Sequence, residues 1–142
     1  MISAVLDPGV LVSAFIGPPG SVPDRIVRAW RAGQIELVVS PALLDELSDV
    51  LGRPKFAHAT RDGRAVDFVN ALRRRGRTVS DPPATDPITR DPKDDYLVRL
   101  ARAATPTALV SGDHHLHETD LGDINVLTPR AFIDLVDRPQ AE

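Results

Sequence analysis

Ile2-Ser3-Ala4-Val5-Leu6-Asp7, residues 2–7, is a short apolar run that stops on a carboxylate. A run of this kind, closed by a turn signal, reads as a strand buried in a sheet. Pro8-Gly9 supplies the turn. The same grammar returns at 108–113, where Ala108-Leu109-Val110 runs into Ser111-Gly112-Asp113. Two further strands are expected at 35–39 and 124–127.

Helical spacing of apolar residues fills the intervals. Helices are predicted at 10–16, 23–32, 41–51, 61–75, 94–104 and 129–136. Ser40-Pro41 and Thr128-Pro129 are helix starts, an N-cap followed by proline at the first helical position. Val66, Val69 and Leu72 are expected to face inward on the fourth helix, and Trp30 to be core. Residues 80–93 read as a loop that carries Asp-Pro three times, at Asp81, Asp86 and Asp91. Strands alternating with helices predict an α/β fold whose parallel sheet is covered on both faces. In such sheets ligands bind beyond the carboxyl ends of the strands. Asp7 and Asp113 both leave a strand at that end, so they are expected to share one crevice.

The 142 residues suit a single domain spanning 1–142. With 42% hydrophobic and 4% aromatic residues, the core is aliphatic. The absence of cysteine excludes disulfides and thiolate metal sites. No apolar run approaches the roughly 20 residues that cross a bilayer, and no basic-then-apolar leader is visible. A soluble, cytoplasmic protein is expected. The net charge of −3 is not that of a protein that coats nucleic acid. Yet 15 of the 17 basic residues are arginine, the better partner for phosphate. They are densest at Arg73, Arg74, Arg75 and Arg77. Phosphate contact, an ordinary solvated face and a surface for an acidic partner protein are all open readings of that cluster.

Two more acids adjoin apolar runs. Glu46 borders the stripe of Leu43, Leu44, Leu47, Val50 and Leu51, whereas Asp45 and Asp49 lie opposite. Asp94 precedes Leu97 by three residues and projects near the inner face of its helix; Asp95 is expected to point away. Asp91 is a candidate outer partner. Each acid alone also reads as a turn or helix-start residue. Together, Asp7, Glu46, Asp94 and Asp113 would repel one another unless a hard cation sat among them. That points to a divalent metal and to phosphodiester chemistry. Ser111 could donate a hydrogen bond to a ligating carboxylate or to a phosphate. His58, His114, His115 and His117 have no nucleophile partner, and 114–117 reads as a solvated turn.

These motifs, in this order, resemble the PIN domain family, in its VapC-like toxin branch. Val5-Leu6-Asp7 with Val10-Leu11-Val12-Ser13-Ala14 is similar to the family's opening strand and turn. Residues 36–47, Arg53-Pro54-Lys55-Phe56, Asp91-Pro92-Lys93-Asp94-Asp95 and Leu109-Val110-Ser111-Gly112-Asp113 resemble its later motifs, and Thr128-Pro129-Arg130-Ala131-Phe132 its C-terminal helix start. The resemblance implies a three-layer α/β/α sandwich with a mainly parallel central sheet. It implies a Mg²⁺- or Mn²⁺-dependent ribonuclease in which Asp7, Glu46, Asp94 and Asp113 hold the metal. It also implies an RNA substrate, a cognate antitoxin and a homodimer. Two positions depart from the family pattern. Asp-Pro-Gly replaces the usual Asp-Thr-Asn or Asp-Ser-Asn, removing the hydroxyl and amide that would orient Asp7. His115 stands where an acid is frequent, and imidazole suits Mn²⁺ better than Mg²⁺. A metal-impaired PIN domain working as a binding module is the alternative expectation.

Overall fold

The computed structural model describes residues 1–84, 88, 92–119 and 121–139, with only the backbone of 92, 93 and 115. Among the described residues five strands form one sheet: β1 (Ile2–Leu6), β2 (Ile35–Val39), β3 (Arg77–Thr78), β4 (Ala108–Val110) and β5 (Val126–Leu127). Their order is β3-β2-β1-β4-β5, and every pair is parallel. The helices are α1 (Pro8–Ile16), α2 (Val22–Arg31), α3 (Pro41–Leu51), α4 (Ala57–Thr60), α5 (Arg64–Arg75), α6 (Pro92–Ala104), α7 (His114–Glu118) and α8 (Pro129–Asp137).

The chain steps from β1 to β2 to β3 in one direction, then crosses back to β4 and β5 on the other side of β1. Right-handed crossovers put α1, α2, α3 and α5 on one face of the sheet and α6 on the other. The order reverses between β1 and β4, which makes the crevice beyond their carboxyl ends the switch point of the sheet. Asp7 and Asp113 stand at that crevice, as the strand ends require.

The predicted elements are present, with local differences. Pro8 and Gly9 do not form a separate turn; they open α1, with Asp7 as N-cap and proline at the first helical position. The 61–75 helix is broken by Gly63 at φ 85°, so α5 begins at Arg64. Its inner face is Ala65, Phe68, Val69 and Leu72, while Val66 is 63% exposed. Phe68 sets that face, because 65, 68, 69 and 72 share one side of a 3.6-residue helix. Residues 114–118 form a helical turn where solvated turn was expected, and the last strand is confined to Val126–Leu127. The fifth strand, β3, is two exposed residues with no apolar signal to announce it.

The core is aliphatic, built on fully buried Leu43, Leu47, Leu72, Leu100 and Leu109, with Phe132 and Trp30 as its large aromatics. Each such leucine stabilises the fold by about 1.5–3 kcal/mol through burial alone. Ser40 caps α3 through Leu43 N–H at 3.2 Å, and Thr128 caps α8 through Ala131 N–H at 3.1 Å. Those caps fix where each helix leaves the sheet, and for α3 they fix the height of Glu46.

Candidate active site

Asp7 leaves β1 with its backbone still in the ladder, its N–H donating to the Val110 carbonyl at 2.9 Å. Both carboxylate oxygens are held. Oδ1 accepts from the Gly9 N–H at 2.9 Å, the N-cap bond of α1. Oδ2 accepts from the Ser111 hydroxyl at 2.8 Å. The orienting hydroxyl that Pro8 cannot provide therefore comes from the end of β4, 104 positions away in sequence. The expectation that Asp7 lacks an orienting hydroxyl and amide is corrected by that pair of donors.

Ser111 is fully buried and uses its hydroxyl twice. It donates to Asp7 and accepts from the Asp113 N–H at 3.0 Å. One hydroxyl thus links two strand-end acids and fixes the turn that carries the second. Asp7 and Asp113 line a single cavity of about 300 Å³ with Gly9 and Ser13 on its wall. His117 meets the Ser111 carbonyl through Nε2 at 2.7 Å. A carbonyl only accepts, so that nitrogen carries the proton. The imidazole clamps the site's backbone from α7 and is not an unconstrained turn residue.

Glu46, half-buried on α3, accepts a hydrogen bond from the Tyr96 hydroxyl on α6. Burial pushes the Tyr96 hydroxyl well above the usual phenol range; the bond and charge of Glu46 push the same way, followed by the charges of Asp7 and Asp81. Of these three carboxylates, Glu46 is the one in hydrogen-bond contact with the hydroxyl. Asp81 accepts from the Ala42 N–H at 2.9 Å, a second acceptor at the start of α3 beside Ser40. Its other oxygen is buried and has no hydrogen-bond partner among the described residues.

Sequence reasoning missed both Tyr96 and Asp81. Tyr96 is the chain's single tyrosine and lies inside the third acidic motif, which was a usable signal. Asp81 carried none beyond one Asp-Pro among three.

Asp94 is half-buried on the first turn of α6, two residues before Tyr96. Asp95 does not point away: it is 4% exposed and accepts from the Ile88 N–H at 3.2 Å. A buried aspartate must be paired, and Asp95 meets that need by tying the preceding segment to α6. Asp91 and the His115 side chain lie outside the described residues.

Among the described residues, no three His, Cys, Asp or Glu side chains form a group that could hold a metal ion. The donor chemistry nonetheless fits a hard divalent cation. Asp7 and Asp113 line one cavity, and Mg²⁺ commonly takes one or two carboxylates and keeps its waters.

A strand-end acid pair at the β1–β4 switch point, joined by a buried serine, is the setting in which the comparisons fall. Residues 3–115 match the family model described as PIN domain. The chain belongs to the PIN domain family. Comparison with curated proteins gives no match. Several chains of solved structures resemble this PIN domain, two of them as follows. One is a chain in the crystal structure of VapBC2 from Rickettsia felis bound to a DNA fragment from their promoter. It aligns with TM-score 0.60 at 10% identity, covering 89% of this chain and 98% of that one. The other is PAE2754 from Pyrobaculum aerophilum, with TM-score 0.51 at 14% identity, covering 96% of this chain and 89% of that one. At these identities the likeness is one of fold. The PIN-domain match takes in all four acids read from the sequence, and it ends before β5 and α8.

Proposed function

We propose that this PIN domain is a divalent-metal-dependent endoribonuclease, the toxin of a toxin–antitoxin pair, with Mg²⁺ or Mn²⁺ as cofactor. The observation that carries the reading is the Asp7–Ser111–Asp113 linkage beside one cavity at the switch point. Asp7 and Asp113 would hold the ion, with Glu46 and Asp94 completing the set. When bound, the metal would lower the pKa of its water and offset charge on the phosphate.

The chain's own residues supply order. Ser111 and the Gly9 N–H lock the Asp7 carboxylate, leaving each of its oxygens a further lone pair. Tyr96 keeps its proton and so stays a donor to Glu46, fixing that carboxylate by hydrogen bond. His117 holds the Ser111 backbone from behind. Such preorganised supports around ligands are worth roughly 10–100-fold in metal affinity or activity.

The toxin assignment draws on the resemblance to the VapC-like branch and on the fold shared with the VapBC2 structure. It carries a cognate antitoxin, a homodimer and a cytoplasmic location as parts of the same proposal. A second reading is a metal-impaired PIN domain that binds without cleaving. It is favoured by the absence of a three-residue acid group among the described residues.

One experiment separates the two. Mn²⁺ or Mg²⁺ titration should raise the melting temperature, and cleavage of structured RNA should require the metal. Asp7→Asn should lower cleavage roughly 10²–10³-fold, the scale of losing one charge-stabilising group. No metal response at millimolar concentration would leave only the binding module.

A further inference from the structure

A cavity of about 720 Å³ lies apart from the acid site. It is a groove between α2 and α5, floored by the end of α1. Its solvent-facing wall is Arg28, Arg31, Arg64, Arg74 and Arg75, with Asp67 as the one exposed acid. Beneath them lie Val27 and Phe68, both buried, and half-buried Phe15.

Three of the arginines are stacked on rings. Arg31 lies over Phe68 at 6.0 Å, Arg64 over Phe15 at 5.9 Å and Arg75 over Trp30 at 5.3 Å. Arg75 also donates to the Arg31 carbonyl at 3.2 Å. Stacking restrains a guanidinium while leaving N–H groups at its edge, so less freedom is lost when an anion is gripped. Arg28 pairs with Asp24, and Arg64 with Asp62, on exposed sites where such pairs are weak and exchangeable.

We infer that this groove binds the sugar–phosphate backbone of an RNA strand and delivers it to the acid rim. The identity of the polymer rests on the proposed ribonuclease reading; the anionic character of the ligand rests on the groove. An apolar protein surface is disfavoured, because covering the groove with it would bury the guanidinium charges without partners. Here the exposed wall is arginine and the apolar residues lie underneath. Base stacking is disfavoured too, since guanidinium groups already lie over both phenylalanine rings. Phosphate is what five forked donors, against the two acids Asp24 and Asp67, select. Helix α1 sets the distance to the acid rim. It starts at Asp7 and presents Phe15 eight residues later, roughly 12 Å along the axis. A strand held in the groove reaches the Asp7–Asp113 cavity within a few nucleotides.

The test uses the full chain carrying Asp7→Asn, with chelator present, and a fluorescein-labelled single-stranded RNA of mixed sequence. Adding Arg31→Gln, Arg74→Gln and Arg75→Gln together should weaken binding at least tenfold and lower the salt slope by about 0.7 for each phosphate no longer neutralised. Arg102→Gln, exposed on α6 away from the groove, should bind as the parent does. Thermal melts confirm that each variant is folded; should the triple variant not fold, Arg74→Glu alone replaces it, with the same expected direction.

Equal RNA binding by groove variant and parent would overturn the inference. So would a groove that takes poly-glutamate in preference to RNA, which would make it a site for an acidic protein. Wild-type cleavage is scored separately. RNA held in the groove without cleavage sinks the nuclease reading alone, and cleavage with an indifferent groove sinks the groove alone.

Discussion

The acid rim and the arginine groove are built in opposite ways. At the rim, the acids come from different parts of the chain, and short, directional bonds lock the Asp7 and Glu46 carboxylates. Asp7 is held by Gly9 and Ser111, Glu46 by Tyr96, and the Asp113 backbone by Ser111. In the groove, neighbouring arginines on two helices are restrained by ring faces, a softer and less directional hold. A few metal-binding oxygens need fixed positions, whereas a polyanion needs charge density that can adjust. A net charge of −3 conceals this division, because five arginines line the groove while the Asp7–Asp113 cavity has no basic residue in its lining.

The sharpest way to break the contrast is Ser111→Ala. It removes the donor to Asp7 and the acceptor for Asp113 in a fully buried position. A loss of about 1–3 kcal/mol in denaturant unfolding is expected, with metal-dependent cleavage falling and RNA binding by the groove unchanged. An unfolding curve that overlays the wild type would mean the rim is not held as described.

Tyr96→Phe is the next smaller change, since the ring and its packing remain. The midpoint of Mn²⁺ binding should weaken about tenfold, while the melting temperature moves little. The same hydroxyl gives a pH prediction. Its folded value is raised above the usual 10.0. Protonated Tyr96 therefore favours the native state, fully below that pH, and the contribution is lost as pH rises through the folded value. Phenolate absorbance, which reports the only tyrosine in the chain, should stay silent at pH 10 until the protein unfolds. Ordinary titration near pH 10 in the folded protein would contradict the burial and the Glu46 contact.

Asp24→Asn is the gentlest probe and sharpens the comparison from the groove side. Asp24 pairs with Arg28 at 2.8 Å and lies in the first turn of α2. Its charge contributes about 0.3–1 kcal/mol there. Stability should fall by no more than that while RNA binding tightens a few-fold as Arg28 is released. Weaker RNA binding would count against phosphate as the groove's ligand.

The two regions also differ in how far the sequence announced them. Asp7 and Asp113 were legible because an acid that closes an apolar run must sit where the core meets solvent, and the alternation of elements put both at one end of a parallel sheet. Glu46 was legible from the leucine stripe beside it. Ser111 was legible as a donor, but its partner was not, since pairing β1 with β4 is a matter of topology. Asp95 departs from its expected direction because helical spacing orients a residue relative to its own helix and does not show what packs above it. Val66 departs for a related reason: Phe68, a larger apolar residue, rotates α5 by one position. The arginines were visible as density in one segment. Their assembly with Arg28 and Arg31 from α2, over rings from α1 and α5, is a product of packing that no local pattern contains.

Trp30 carries a consequence of its own. It is the only tryptophan, it is buried, and a guanidinium lies 5.3 Å above its ring. The protein's intrinsic fluorescence is therefore a native gauge of one spot in the groove. Anything that draws Arg75 off the indole alters that emission, so occupancy can be followed in unlabelled protein, without touching the acid rim at all.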